Sequence, residues 1–252
     1  MLEEIQSITL LGVKIKNIPK ELVLEYIRTV LLNKNKSIIS YVNLHALNLG
    51  YSTLWFRNFI NESQIVFCDG IGVQLAAKLT GQKLDYRFTP PDWIDDLCDV
   101  LVKNNFSAFL LGAKPGVAES AAKLLRQKHA GLEIETHHGY FNFLGSENQN
   151  VVELINQSNS KILLVGMGMP LQEQWILENQ YKLTSIKVIM PVGALFDYVA
   201  NLIPRGPKFM TNHGLEWLAR LVIEPKRLWR RYLLGIPLVF YRIIKHQLIQ
   251  NK

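Results

Sequence analysis

Carboxylates, arginines, amides and glycines recur in this 252-residue chain where they could hold an anionic ligand and move a proton. Cys68-Asp69-Gly70-Ile71-Gly72 sets a carboxylate directly ahead of two glycines. Such a carboxylate can serve as general base or ligand acid, with glycines that admit a close backbone approach. A plain Asp-Gly turn would produce the same string. Asn43-Leu-His45-Ala-Leu-Asn48 offers an asparagine that either caps a helix or faces a ligand. His45 and Asn48 then share one helix face. Arg87, in Tyr86-Arg87-Phe88-Thr89-Pro90-Pro91-Asp92, could clamp a phosphate with its planar fork. Thr89 and Asp92 suit structural roles, Thr89 as the cap of a helix beginning near Pro90.

Three glycine-bearing segments follow. Gly112-Ala113-Lys114-Pro115-Gly116 precedes a helical pattern. A helix N-terminus with Lys114 beside it favours an anion such as a diphosphate. Gly166-Met167-Gly168-Met169-Pro170-Leu171-Gln172 begins like a dinucleotide-binding turn but lacks its later glycine and distant acid, leaving a turn that presents Gln172 to a ligand. In Val192-Gly193-Ala194-Leu195-Phe196-Asp197, Asp197 either accepts from a ribose or base, or pairs within the fold. His137-His138 reads as loop. No metal-binding or Ser-His-Asp pattern stands out, so no metal is expected. Cys68 and Cys98 read as buried, reduced thiols of a reducing compartment.

These segments need strands to present them. Ser37–Val42, Gln64–Cys68, Ala108–Leu111, Glu133–Thr136, Lys161–Val165 and Lys187–Pro191 are nearly continuous apolar runs. Strands buried on both faces of a parallel sheet have that character. Helical patterns lie between them at Leu44–Phe59, Gly72–Thr80, Pro91–Asn104, Gly116–Ala130 and Gln172–Tyr181. Pro91 and Pro115 suit first turns. Val192–Ala200 reads as a further short helix, and His213–Ile223 as another. The alternation predicts an α/β fold with a mostly parallel sheet, and ligands bind such sheets beyond the carboxyl ends of the strands.

Charge divides the chain. The whole carries +7, from 28 basic and 21 acidic side chains. Residues 201–252 hold ten basic and two acidic groups, a balance of +8, and residues 1–200 balance at −1. We therefore read 1–200 as the core and 201–252 as a basic amphipathic appendage. An anionic partner follows, whether nucleic acid, phosphate or membrane surface. The aromatic and aliphatic residues between the appendage's arginines favour an anionic membrane face, with docking on the core as the other option. The start, MLEEIQ, has no leader-like pattern, and no apolar run spans a bilayer. A near-even 48% hydrophobic content excludes disorder.

Ordered landmarks run through the chain: DGIG at 69–72, GAKPGVAESAAKLL at 112–125, HGYF at 138–141, GMGMPLQEQW at 166–175, VGALFDY at 192–198, RGPKFM at 205–210 and GLEWLARLVIEPKRLWRRY at 214–232. Together they resemble the WecG/TagA/CpsF family of bacterial glycosyltransferases. The resemblance implies a modified Rossmann-like domain. It implies inverting, metal-independent transfer of a hexose or N-acetylhexosamine from a UDP-sugar, with no cofactor beyond that co-substrate. The implied acceptor is a polyprenyl-diphosphate-linked sugar at the inner face of the cytoplasmic membrane, for cell-surface polysaccharide synthesis. Self-association stays open; nucleic acid is not expected.

On that resemblance Asp69 matches the catalytic base, Asn43 the asparagine of a Thr-x-Asn element, Arg87 a donor-side arginine and Gln172 a glutamine of the sugar or diphosphate site. Tyr41, Gly70, Gly72, Gly112, Lys114, Gly168 and Asp197 join the nucleotide-sugar set. Arg227, Arg230 and Arg231 would offset charge on the leaving diphosphate. Two positions depart from the family pattern. Tyr41 stands where a threonine is usual, and Thr89-Pro90-Pro91-Asp92 replaces Thr-Gly-x-Asp. Both border the implied sugar site, so N-acetylmannosamine and glucose both remain open as donors. A nucleotide-binding protein without transferase activity, or a basic nucleic-acid binder, are the competing readings.

Overall fold

The computed structural model describes residues 2, 4–33, 35–207, 209–210 and 214–250, with backbone alone for 249 and 250. Lys208 and Lys252 of the basic tally, and the His213 start of the expected helix, lie outside these residues.

The six apolar runs all become strands: β3 (Ser37–Val42), β4 (Ile65–Cys68), β5 (Ala108–Gly112), β6 (Ile134–His137), β7 (Ile162–Gly166) and β8 (Val188–Pro191). They form one six-stranded parallel sheet, ordered β4-β3-β8-β7-β5-β6. Every residue of β3, β4, β5, β7 and β8 is buried. That two-sided burial is why these strands lack alternation. The mixed α/β architecture is consistent with a Rossmann-like fold.

A further hairpin precedes the sheet. Strands β1 (Ser7–Leu10) and β2 (Val13–Lys16) pair antiparallel, with Leu10 opposite Val13. Leu11 and Gly12 turn between them with φ of 50° and 81°, the double positive φ that matches strand twist. Ile8, Leu10, Val13 and Ile15 face inward in strict alternation.

The helices are α1 (Lys20–Leu32), α2 (Leu44–Ser52), α3 (Leu54–Glu62), α4 (Ile71–Leu79), α5 (Pro90–Lys103), α6 (Val117–Lys128), α7 (Ser146–Gln157), α8 (Leu171–Asn179), α9 (Leu195–Val199), α10 (Glu216–Ile223), α11 (Pro225–Trp229) and α12 (Gly235–Gln250). A π-helical turn, Arg230–Leu234, joins the last two. The expected single helix Leu44–Phe59 is two helices. Thr53 is extended, at φ −132°, and ends α2 as it starts α3. Pro115 does not occupy a first turn, because Gly116 in the left-handed region is the N-cap of α6. Helices α1 and α7 occupy stretches where the sequence reading placed none.

By packing, the chain forms two compact units. One comprises Met1–Pro19, Ser40–Thr89 and Pro204–Lys252; the other Lys20–Ile39 and Pro90–Ile203. The appendage residues from Pro204 onward therefore group with the hairpin and with α2 to α4. In this first unit Val239 and Ile243 of α12 are buried, as is Leu228 of α11. In the second, Trp175 is fully buried and donates to Asn148 Oδ1 at 2.8 Å, and Asn148 donates to Asn179 Oδ1 at 2.9 Å.

Gly112 shows how closely the second unit's strands approach. Its φ is +147°, and a Cβ there would lie 2.4 Å from the Gly166 carbonyl oxygen. Backbone cannot yield as a side chain does. Gly112→Ala should therefore cost about 3 kcal/mol, read as a lowered denaturation midpoint in urea. A loss below about 1 kcal/mol would contradict this geometry.

Candidate active site

In the first unit, the tips of β3 and β4 lie side by side. The Asp69 N–H donates to Val42 O at 2.8 Å, carrying strand pairing one residue past β4. Asn43 follows Val42 and does two things at once. Its Oδ1 accepts from Ala46 N at 3.1 Å, capping α2, and its Nδ2 donates to Asp69 Oδ2 at 3.2 Å. The capping and ligand-site readings of Asn43 thus meet in one side chain. Asp69 itself is half-buried. After it, Gly70 takes φ +102° as the N-cap of α4, with open space where a Cβ would stand. Only glycine turns the chain this way without strain. Gly72 has another use, since a Cβ on it would lie 2.5 Å from Leu44 Cδ1. Its bareness serves the packing of α4 on α2.

Arg87 reaches the same strand tip through its neighbour. Phe88 N donates to Cys68 O at 3.2 Å, and the Phe88 ring stacks on Phe67 at 4.3 Å. Tyr41 is 6% exposed, with its ring 6.1 Å from that of Phe67. Its ring belongs to the packed sheet face. Thr89 is buried and accepts from Arg205 Nη2 at 3.5 Å. Burial, then the charge of Asp69, pushes the Cys68 thiol well above its usual range, and Arg87 partly offsets this. A carboxylate and a guanidinium therefore both act on the end of β4. Cys68 and Cys98 are both buried and unpaired.

His45 lies in the first turn of α2, two residues past Asn43. Burial, and then the charge of Arg231, hold its imidazole down to about 4. Arg231, on the π turn, is half-buried. Arg231 therefore stands within charge range of His45. Arg227 is not drawn in the same way. It is exposed and ion-paired with Glu224 at 2.6 Å. Arg230 is exposed, with its guanidinium 5.3 Å from the Trp229 ring centroid. Asn48, one turn beyond His45, donates to Gly235 O at 2.8 Å and accepts from Arg242 Nη1 at 2.8 Å. Sequence reasoning placed His45 and Asn48 on one face but missed Arg242 among ten basic residues.

The second unit carries the glycine-rich turns. Ala113 N donates to Gly166 O at 2.9 Å, and Gly139 N donates to Ala113 O at 2.9 Å, joining the turns after β5, β6 and β7. Gln172 Oε1 accepts from Gly168 N at 3.2 Å and from Gly193 N at 3.0 Å, and its Nε2 donates to Glu173 Oε1 at 2.7 Å. Gln172 is 0% exposed. Its amide joins the turn after β7 to the turn after β8. Gly168, at φ +81°, has open space at its Cβ position. Lys114 is exposed, next to the left-handed Gly116 that starts α6 without a side-chain cap. Asp197 is half-buried in α9, and its carbonyl accepts from Leu202 N at 2.9 Å. His137 ends β6, and its Nδ1 lies 2.8 Å from His138 O. Among the described residues, no group of three or more His, Cys, Asp or Glu side chains could hold a metal ion.

Residues 8–252 match the family described as "Glycosyl transferase WecG/TagA/CpsF family". The chain belongs to that family. It is an enzyme, a glycosyltransferase. Similar proteins include the "N-acetylglucosaminyldiphosphoundecaprenol N-acetyl-beta-D-mannosaminyltransferase" of Staphylococcus aureus (strain MRSA252), 30% identical over 95% of this chain and 92% of that protein. The protein of the same name from strain NCTC 8325 / PS 47 is 31% identical, again over 95% of this chain and 92% of its own length.

The position of His45 has a measurable consequence. Its folded value of about 4 lies below the ordinary 6.5, so between these the unfolded chain binds a proton that the folded chain refuses. Stability from this group is therefore full above pH 6.5 and is lost as pH falls toward 4. Going from pH 7 to 4.5, the native enzyme should lose about 2 kcal/mol more than His45→Gln in urea unfolding. Equal losses would show that His45 is not held neutral.

Proposed function

We propose that this glycosyltransferase moves N-acetylmannosamine, with inversion, from its UDP-sugar to a polyprenyl-diphosphate-linked N-acetylglucosamine. The carrying observation is the Asp69 carboxylate, held at a strand tip by Asn43 Nδ2 at 3.2 Å with Arg87 beside the same tip. A carboxylate so oriented suits general-base work. Asp69 takes the proton from the acceptor hydroxyl as that oxygen bonds the anomeric carbon. The bond from that carbon to the diphosphate oxygen breaks, and UDP leaves with its electron pair. Charge growing on the diphosphate needs cations close by, and Arg231 and Arg87 are the groups we assign to that task without a metal.

The donor assignment leans on the relatives, whose names specify an N-acetylmannosaminyl group and an N-acetylglucosaminyl-diphosphoundecaprenol acceptor. The departure at Tyr41 weighs less against it than the sequence suggested, because that ring packs into the sheet. UDP release from UDP-N-acetylmannosamine in the presence of a polyprenyl-diphosphate N-acetylglucosamine tests the reading. Asp69→Asn should lower kcat by about 10²- to 10⁴-fold with the fold retained. Wild-type turnover by a folded Asp69→Asn enzyme would remove Asp69 as the base. UDP binding without transfer from any donor would favour the nucleotide-binding alternative.

We also assign the appendage to an anionic membrane surface at the cytoplasmic face. Leu233, Leu234, Leu238, Tyr241, Ile244 and Leu248 are exposed, with exposed Lys226, Arg230 and Lys245 among them. Apolar side chains flanked by cations suit insertion at an anionic headgroup layer. No helix among the described residues is long and apolar enough to cross a membrane. Vesicles containing phosphatidylglycerol should carry the protein upward in flotation, and Leu234→Ser with Leu238→Ser should reduce the bound fraction several-fold. Unchanged flotation of that double variant would move the contact elsewhere.

A further inference from the structure

Helix α2 holds two kinds of residue in register. At its start, Asn43 holds Asp69 and His45 feels Arg231. One turn on, Asn48 commits its whole side-chain amide to the C-terminal segment. Asn48 Nδ2 donates to Gly235 O at 2.8 Å, and Asn48 Oδ1 accepts from Arg242 Nη1 at 2.8 Å. The same guanidinium nitrogen donates to Asn48 O at 3.1 Å, and the guanidinium lies 4.4 Å from the Tyr51 ring centroid.

Gly235 and Arg242 are seven residues apart, two turns of α12, so they share one face. Val239, fully buried, lies between them on that face. Apolar burial is non-directional and would tolerate rotation or sliding of α12. Two hydrogen bonds to one asparagine, spaced two turns apart, do not. Gly235 is also where the π turn ends, with its N–H donating to Arg230 O. The five-residue loop of that turn changes the helical phase of what precedes it. Arg231 sits within it, four residues before Gly235. Fixing Gly235 therefore fixes where Arg231 points.

We propose that Asn48 and Arg242 are positioning residues that hold the π turn in register, so that Arg231 stands beside His45. The consequence for catalysis rests on the glycosyl-transfer reading; the geometric claim does not.

The test follows the His45 imidazole by NMR in the full chain, assigned by its loss in His45→Gln. The native value is expected near 4. Arg231→Gln should raise it, and Asn48→Ala and Arg242→Lys should each reproduce most of that rise. Arg242→Lys keeps the charge but ends one bond short of Nη1 and has no planar face to set over Tyr51, so it serves if Asn48→Ala unfolds. Combining Arg242→Lys with Arg231→Gln should add no further shift. The inference is overturned if the clamp variants, folded by thermal melting, leave His45 near 4. It is equally overturned if Arg231→Gln has no effect, or if the double variant shifts beyond Arg231→Gln alone, which would indicate loosened packing only. With donor and acceptor present, the same double variant should lose no more kcat than Arg231→Gln. Absence of any transfer by the native enzyme would overturn the proposed function and leave the titration result standing.

Discussion

Asn43 has one side-chain oxygen and one amide nitrogen, and both are committed. The oxygen supplies the first turn of α2 with the acceptor its N–H groups lack. The nitrogen holds the Asp69 carboxylate. Because β3 and β4 are parallel neighbours, their carboxyl ends place Asn43 and Asp69 together without any loop having to find its partner. Helix start and carboxylate orientation are therefore one event, and whatever fixes α2 also acts on Asp69. The C-terminal segment fixes α2 through Asn48, which makes a distant part of the chain relevant to the strand tip.

The second unit uses the same economy with a different residue. A buried primary amide must satisfy its oxygen and nitrogen or lose stability. Gln172 satisfies them with the N–H groups of Gly168 and Gly193 and the carboxylate of Glu173. Those bonds determine the shape of two glycine turns. Gly168 keeps open space at its Cβ position.

The basic appendage divides by the same criterion of who partners whom. Arg242 belongs to the packing of α12 on α2, Arg220 and Arg227 to Glu224, and Arg231 to the neighbourhood of His45. Exposed Lys226, Arg230 and Lys245 remain on the surface among exposed aliphatic residues. A local excess of positive charge thus covers three separate physical roles.

The strands were legible because two-sided burial in a parallel sheet demands unbroken apolar runs, and the run ending at Val42 was placed to the residue. The hairpin was missed, although Ile8, Leu10, Val13 and Ile15 alternate, because its strands are only four residues long and its Leu11-Gly12 turn lacks the usual asparagine or aspartate signal. The break at Thr53 was hidden, since the apolar pattern of α2 and α3 continues across it. Asp69, Asn43 and Arg87 could be named from residue type and position after a strand, because strand ends in such sheets are where side chains meet ligands. The burial of Tyr41 and Gln172 was not legible, because burial depends on neighbours far along the chain. Sequence alone determined the six strands of the parallel sheet, the glycosyltransferase family and the polar residues at the strand tips, since local composition and motif order carry those. Only the tertiary structure decided which polar groups face each other, because a hydrogen bond between residues as distant as Asn48 and Arg242 leaves no local trace in the sequence.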